Sequence, residues 1–424
     1  MALALAGIGH EFARRTSSLL MFPRFSGLKL FYSRPAIDIH PQDGMVDEQV
    51  TIGASGLEPR QLVILRSSVK SESGKYSFQA HATYEADSLG HVSLSEQPSL
   101  GGTYLGLQPM GLLWGMVPDA KSAKKKARLL KTDPNMHHWV YTFDLCDGNV
   151  PNVDQGPGEI LASETVKRRF VAPWGLQEVA SSQLPLIIEM AGLAPRSVQD
   201  RPQLLASHGF AVFDFNYFGA IGEALLTGGP KGENVYLDCQ LFYDIVEFAR
   251  RHPRIDDTRI GISTGCSGGS LVLSAVPRLT GFPVRCISVQ RSEDRYSSVK
   301  PGEDGTLFVT ADFDHHVYDA ANREDYVAPA AKRMRQAGNG HLVDFVHLPG
   351  AGHLLQSPYL PLSTESSIYL PDVVDAPVYA RWGGKPKLHA EGQVKAWQKM
   401  LDFFRKHLGP VEPLRRDWLS TTSV

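Results

Sequence analysis

The stretch Arg259-Ile-Gly-Ile-Ser-Thr-Gly-Cys-Ser-Gly-Gly-Ser-Leu-Val-Leu-Ser-Ala275 has the residue types of a strand, a sharp turn and a helix, with Cys266 at the tip of the turn. A nucleophile on such a turn is presented above a sheet, where it can attack a carbonyl. The turn is crowded, so small residues are needed two before and two after the nucleophile. Thr264 and Gly268 stand there, and Gly269 lets the following helix lie close to the sheet. Two serines compete with Cys266, because Gly261 to Gly265 and Gly265 to Gly269 both fit G-x-S-x-G, around Ser263 and Ser267. The Ser263 frame would start its helix with Thr-Gly-Cys-Ser-Gly-Gly, which is poor helix sequence. The Cys266 frame lets Ile260 and Ile262 alternate along a strand and puts Leu271, Leu273 and Ala275 in a helix. The order of preference is Cys266, Ser267, Ser263.

A thiol nucleophile needs a base and an acid, and both types follow in the chain. Leu307-Phe-Val-Thr-Ala leads to Asp312-Phe-Asp314-His315-His316, and Val343-Asp-Phe-Val-His-Leu leads to Pro349-Gly-Ala-Gly-His353. His353 would take the thiol proton, and Asp314 would fix the imidazole tautomer and stabilise its charge. Asp312 competes as the acid. The oxyanion would be held by backbone N–H groups of Ser267 and of the Ala191-Gly192 turn. Any one of these residues alone reads as a helix cap or a solvated loop. Three in the order nucleophile, acid, histidine, each after a predicted strand, match the chain order of α/β-hydrolases.

The elements that must position them change character along the chain. From about Pro35 to Val150, short alternating runs at Gln49–Gly53, Gln61–Arg66, Phe78–Tyr84 and Trp139–Phe143 are broken by turn residues, which predicts a small β-sandwich. Residues 151–180 read as a linker. After Gln183 strands and helices alternate. Strands are expected at 185–190, 210–215, 259–265, 284–290, 306–310 and 342–348, and helices at 201–208, 234–251, 320–337 and 393–407. Alternation of this kind builds a doubly wound, mostly parallel sheet with ligands at the carboxyl ends of its strands. The catalytic domain is expected to span 181–410, followed by a tail at 411–424.

At 424 residues, 42% hydrophobic and 21% charged, the chain is long enough for two domains, and its net charge of −2 gives no reason to expect nucleic-acid binding. Cys146, Cys239, Cys266 and Cys286 form no C-x-x-C pair, which argues against zinc and fits a reducing compartment. No metal or other cofactor is expected. No apolar run is long enough to span a bilayer. Residues 1–34 carry five basic side chains and one acid, Glu11, an Arg-rich start of the mitochondrial transit type. Cytosolic or peroxisomal residence is the alternative, although the terminus Ser-Thr-Thr-Ser-Val424 lacks the S-K-L form.

With these residues in place, the chain resembles the acyl-CoA thioesterase and bile acid-CoA:amino acid N-acyltransferase family from about residue 35 to 410. The resemblance is carried by Phe78 to Gly90, Gly101 to Trp114, Leu204 to Val212, Gly352 to Leu362 and Trp382 to Trp397. It implies an N-terminal immunoglobulin-like domain, an α/β-hydrolase domain, acyl-CoA substrates, and a triad of Cys266, Asp314 and His353. Family thioesterases generally carry serine at the nucleophile position and the bile-acid transferase cysteine. Ala191-Gly-Leu-Ala-Pro-Arg replaces a usual Gly-rich run, and only 48 residues separate Cys266 from Asp314, fewer than in the family.

Thioester hydrolysis is the first functional expectation. Transfer of the acyl group to glycine or taurine is the second, because an acyl-cysteine stays reactive toward amines. A non-catalytic binding protein with a degraded site is a third. The densest basic run, Lys121 to Lys131, is a candidate for contacting CoA phosphates, with a solvated loop as the alternative. A monomer or weak oligomer is expected.

Overall fold

Alternating burial builds the first half of the chain. The computed structural model describes residues 34–148, 158–172, 183–190, 200–215, 239–265, 283–290, 305–311, 340–370 and 374–411, with single positions between 268 and 338. Strands β1 (Ala36–His40), β3 (Thr51–Ser55) and β6 (Val92–Ser93) form one sheet. The second runs in the order β2 (Asp43–Met45), β10 (Ile160–Arg169), β9 (His138–Asp147), β4 (Leu62–Lys70), β5 (Ser77–Glu85), β7 (Gly101–Gly102), with β8 (Val117–Pro118) also along β5. In β5 every second residue, Phe78, Ala80, Ala82 and Tyr84, is buried, the pattern of a sheet with one face in a core. Two short helices, α1 (Gly111–Trp114) and α2 (Ala120–Lys124), interrupt the strands.

β10 runs through the stretch that reads as a linker. It pairs antiparallel with β9 from Ile160 to Arg169. Its composition, Ile-Leu-Ala-Ser-Glu-Thr-Val-Lys-Arg-Arg, is mostly polar, and only Val166 and Arg168 are buried. An edge-facing strand with so few apolar residues gives almost no hydrophobic period to read.

The second half is an open parallel sheet. Its order is β12 (Ala211–Asp214), β11 (Leu184–Met190), β13 (Ile255–Gly265), β14 (Val284–Gln290), β15 (Gly305–Ala311), β16 (Val343–Leu348). Leu184-Pro-Leu-Ile-Ile-Glu-Met is buried almost throughout, as a central strand covered on both faces must be. Three helices are described: α3 (Asp200–Ser207), α4 (Cys239–Arg251) and α5 (Pro386–Leu408). On one face Leu186, Ile188, Ile260 and Ile262 pack with Phe242, Ile245 and Val246 of α4. On the other, Ile187, Cys286, Val346 and Leu348 share a cluster with Leu204 and Leu205 of α3 and Met400, Leu401 and Phe404 of α5. That second cluster continues without a break into the core of the first half, through residues such as Trp139 and Phe170.

α5 begins earlier than its periodicity suggests. Pro386 fills its first turn, where a missing N–H costs nothing, and Arg405, Lys406 and His407 sit at the negative end of its dipole. Gly409, with φ of 83°, ends it. A hairpin of β17 (Glu365–Leu370) and β18 (Val374–Arg381) precedes it and was not expected from the sequence. The presumed transit peptide lies outside the described residues. So does most of the expected helix at 320–337, of which Lys332, Arg335 and Gln336 are helical.

Candidate active site

The chain enters the sheet at β11, turns to β12 on one side, then crosses to β13 on the other. The carboxyl ends of β11 and β13 therefore flank the point where ligands collect in sheets of this kind. β13 runs without interruption to Gly265, and Gly268, Gly269, Val272 and Ala275 are helical. Strand and helix thus lie on either side of positions 266 and 267, as the sequence predicts. Cys266, Ser267, Gly192, Asp312, Asp314, His315 and His316 are themselves outside the described residues.

Ser263 is placed, and its surroundings do not suit a nucleophile. It is fully buried within β13, its Oγ accepts a hydrogen bond from Arg201 Nη2 at 2.7 Å, and it faces Met400 of α5. A hydroxyl in that position is presented to the interior rather than to a substrate.

His353 is half-buried at the far end of the sheet, five residues after β16 ends. Its ring stacks on Trp382, with centroids 5.4 Å apart and planes at 22°, and its backbone N–H donates to the Trp382 carbonyl at 2.8 Å. The Trp382 indole is itself fixed by donating to Ser366 Oγ at 2.8 Å. The turn before His353 is held from below, where the Gly352 N–H donates to Nδ1 of the buried His389 at 2.7 Å. Burial pushes His389 down to about 4, so the ring is neutral, and because Nδ1 accepts, its proton resides on Nε2. Gly352 has no room for a side chain, since a Cβ there would stand 2.4 Å from the Gly383 carbonyl oxygen. Gly384, at φ of +99°, is confined too, since a Cβ there would stand 3.0 Å from the Gly352 nitrogen and 3.1 Å from the His389 ring. The Trp382 to Trp397 segment, legible beforehand only through resemblance, is thus largely a mount for His353.

Sequence reading placed α3 to within one residue but gave no role to its first two side chains. Arg201 lies with its Nε 3.2 Å from Glu189 Oε1 of β11, and it also binds Ser263 of β13. Glu189 is fully buried. Burial pushes its carboxyl up, and the nearby Arg201 charge and Ser263 hydroxyl pull it back only in part. The preceding residue, Asp200, accepts from Ser357 Oγ at 2.8 Å, in the loop that carries His353. Two adjacent residues of one helix therefore brace both the strand before Cys266 and the loop of His353. Glu189 and Arg201 are 12 positions apart with no local pattern, and only an acid inside an apolar strand could have flagged them.

The basic run at 121–131 is partly committed elsewhere. Lys126 pairs with Glu365, and the Lys131 side chain is buried beside Glu72 at 3.5 Å. Burial also lowers Arg128 to about 10. Cys146 and Cys286 are buried thiols outside any disulfide, and Cys239, also outside one, is half-buried. Among the described residues no group of three or more His, Cys, Asp or Glu could hold a metal ion, and no helix is long and apolar enough to cross a membrane.

The chain is similar in sequence to known proteins in both halves. The family described as acyl-CoA thioester hydrolase/BAAT N-terminal region matches residues 47–179, and its C-terminal counterpart, BAAT/acyl-CoA thioester hydrolase C terminal, matches 298–410. Human acyl-coenzyme A thioesterase 1 is 30% identical, over 86% of this chain and 94% of its own length. Human mitochondrial acyl-coenzyme A thioesterase 2 is 30% identical over 86% and 82%, and the mouse peroxisomal succinyl-coenzyme A thioesterase 29% identical over 86% and 94%. Among solved structures, a bacterial heroin esterase aligns at 14% identity and a TM-score of 0.33, over 64% of this chain and 80% of its own. With both halves matched and relatives aligned over most of its length, the chain belongs to the acyl-CoA thioester hydrolase/BAAT family.

Proposed function

We propose that the protein is an acyl-CoA thioesterase, hydrolysing acyl-CoA to a free acid and CoA through a covalent acyl-enzyme on Cys266. The observation that carries this reading is the fixed mount of His353 beyond β16, in a sheet whose central strand β13 ends one residue before Cys266. His353 takes the Cys266 proton, and the thiolate attacks the thioester carbon. The tetrahedral oxyanion rests on the backbone N–H groups of Ser267 and Gly192. Collapse breaks the bond to the CoA sulfur, which leaves with the proton from His353. Water, deprotonated by His353, then attacks the acyl-cysteine, releasing the acid and the thiol, while Asp314 holds the imidazole throughout. The relatives named as acyl-coenzyme A thioesterases support this activity. In this reading the second half is an α/β-hydrolase domain, and the two-sheet first half, extended to include β10, is immunoglobulin-like. The Arg-rich start and the mitochondrial relative support residence in mitochondria.

A cysteine at position 266 favours one second reading, transfer of the acyl group to glycine or taurine in place of water. One experiment covers both. Native protein given acyl-CoA should show the mass of one acyl group, and Cys266→Ala should show none and lose about 10³-fold or more in kcat. Turnover surviving in Cys266→Ala sinks the assignment. Amide product at saturating glycine or taurine would establish transfer, and free acid alone establishes hydrolysis.

A further inference from the structure

Among the described residues, exposed lysines without an ion pair lie on the basic run, at Lys121, Lys124 and Lys125, and also on α5, where they border a groove. Lys387, Lys395 and Lys399, spaced by eight and four residues, fall on one helix face. They overhang a groove of about 530 Å³ between α5 and the end of the Gly101 to Trp114 segment. Trp114, Tyr359 and Val394 line its apolar part. The one acid on its wall, Glu391, stands 4.0 Å from Lys387, so Lys395 and Lys399 have no acidic partner among the described residues. The whole chain carries a net charge of −2, so this positive rim is local.

The groove and the candidate active site draw on the same loop and helix, while their linings have no residue in common and the lysines stand on the face of α5 opposite His389. Tyr359 is six residues beyond His353 in the same loop, and α5 supplies both the lysines and His389. Resting on the acyl-CoA reading above, we propose that this groove holds the phosphoadenosine end of CoA, with the acyl-pantetheine arm reaching toward His353. An apolar floor beneath several lysines suits a flat heterocycle carrying multiple phosphates. An acyl chain, with at most one charge, would leave the lysines without a role. The volume is that of a small-molecule site.

The test compares native protein with Lys395→Glu/Lys399→Glu on two substrates, lauroyl-CoA and lauroyl-N-acetylcysteamine, which lacks the nucleotide. Charge reversal should raise KM for lauroyl-CoA about 10-fold with kcat within about twofold, and leave the truncated substrate unaffected. Equal changes for both substrates, or none for either, overturn the proposal. Calorimetry with 3′-phosphoadenosine 5′-diphosphate should show saturable binding to native protein that salt weakens and the double variant loses. Binding of laurate in its place, blocked by the same variant, also overturns it. Nucleotide binding without any thioester hydrolysis would remove the enzymatic reading and leave the groove standing. Hydrolysis without nucleotide binding would do the reverse.

Discussion

Glu189, fully buried, and Arg201, nearly so, form an ion pair 3.2 Å apart beneath the ends of β11 and β13. Removing one partner strands the other in a medium that solvates it poorly. Glu189→Ala should therefore cost about 3–5 kcal/mol in denaturant unfolding, whereas Glu189→Leu/Arg201→Met, which removes both charges, should be clearly more stable than Glu189→Ala. A double variant as unstable as the single one would show that shape, not charge balance, sets the cost. Cysteine chemistry belongs to this scale too. Cys286 is buried, and burial raises the buried thiol of Cys146, so iodoacetamide should modify Cys266 far faster than Cys146, Cys239 or Cys286. Equal labelling counts against the nucleophile. The sequence points to Cys266 and His353 as candidates because each follows a strand signal. Glu189, Arg201 and His389 were not legible, because their partners come from elements that only the fold brings near.

The loop after β16 and the head of α5 behave as one fitted piece. Gly352→Ala would set a methyl 2.4 Å from a backbone oxygen, which cannot yield as a flexible side chain can. It should shift His353 and lower kcat by about 10²-fold with a smaller change in KM, measured on a soluble acyl-CoA. Unchanged kcat would mean that the turn can move aside. His389 makes the same piece sensitive to acid. Its folded pKa, about 4, lies below its ordinary 6.5, so between these values the unfolded chain binds a proton that the folded one refuses. Stability from this group is thus complete above pH 6.5 and declines as pH falls toward 4, by about 3 kcal/mol in all. Urea titrations across that window should show the slope, and His389→Gln should flatten it. Elements with a clean period were read within a few residues: β5, expected at 78–84, spans Ser77–Glu85, and β14 falls where the sequence puts it. β10 was hidden by its polar composition. The first two turns of α5 were hidden by Lys385-Pro-Lys, which carries no apolar stripe.

The two halves of the molecule meet at a carboxylate. Asp47, just after β2, accepts from Trp397 Nε1 of α5 at 2.8 Å and lies 2.6 Å from Nε2 of His208, which follows α3. Burial pushes the Asp47 carboxyl up, but the contacts with His208 and Trp397 more than reverse this and hold it below its usual range. Asp47→Ala strips both groups of their acceptor and should cost about 3 kcal/mol. Scanning calorimetry should then resolve two transitions where the native protein gives one. A single, merely lowered transition would show that the continuous apolar core alone keeps the halves together. Composition made the change from strands to alternating strands and helices plain. It held no sign of Asp47, because a join between halves leaves no local period.

Asp200 and Arg201 point at different partners from adjacent places on α3, while Leu204 and Leu205 one turn later anchor the helix to the core. Each residue turns a helix by about 100°. One amino acid inserted between Arg201 and Leu204 would thus swing both braces away from Ser357, Ser263 and Glu189 together. A residue added to a surface connection leaves that phase untouched, whereas the single helical turn from Arg201 to Leu204 has no such freedom.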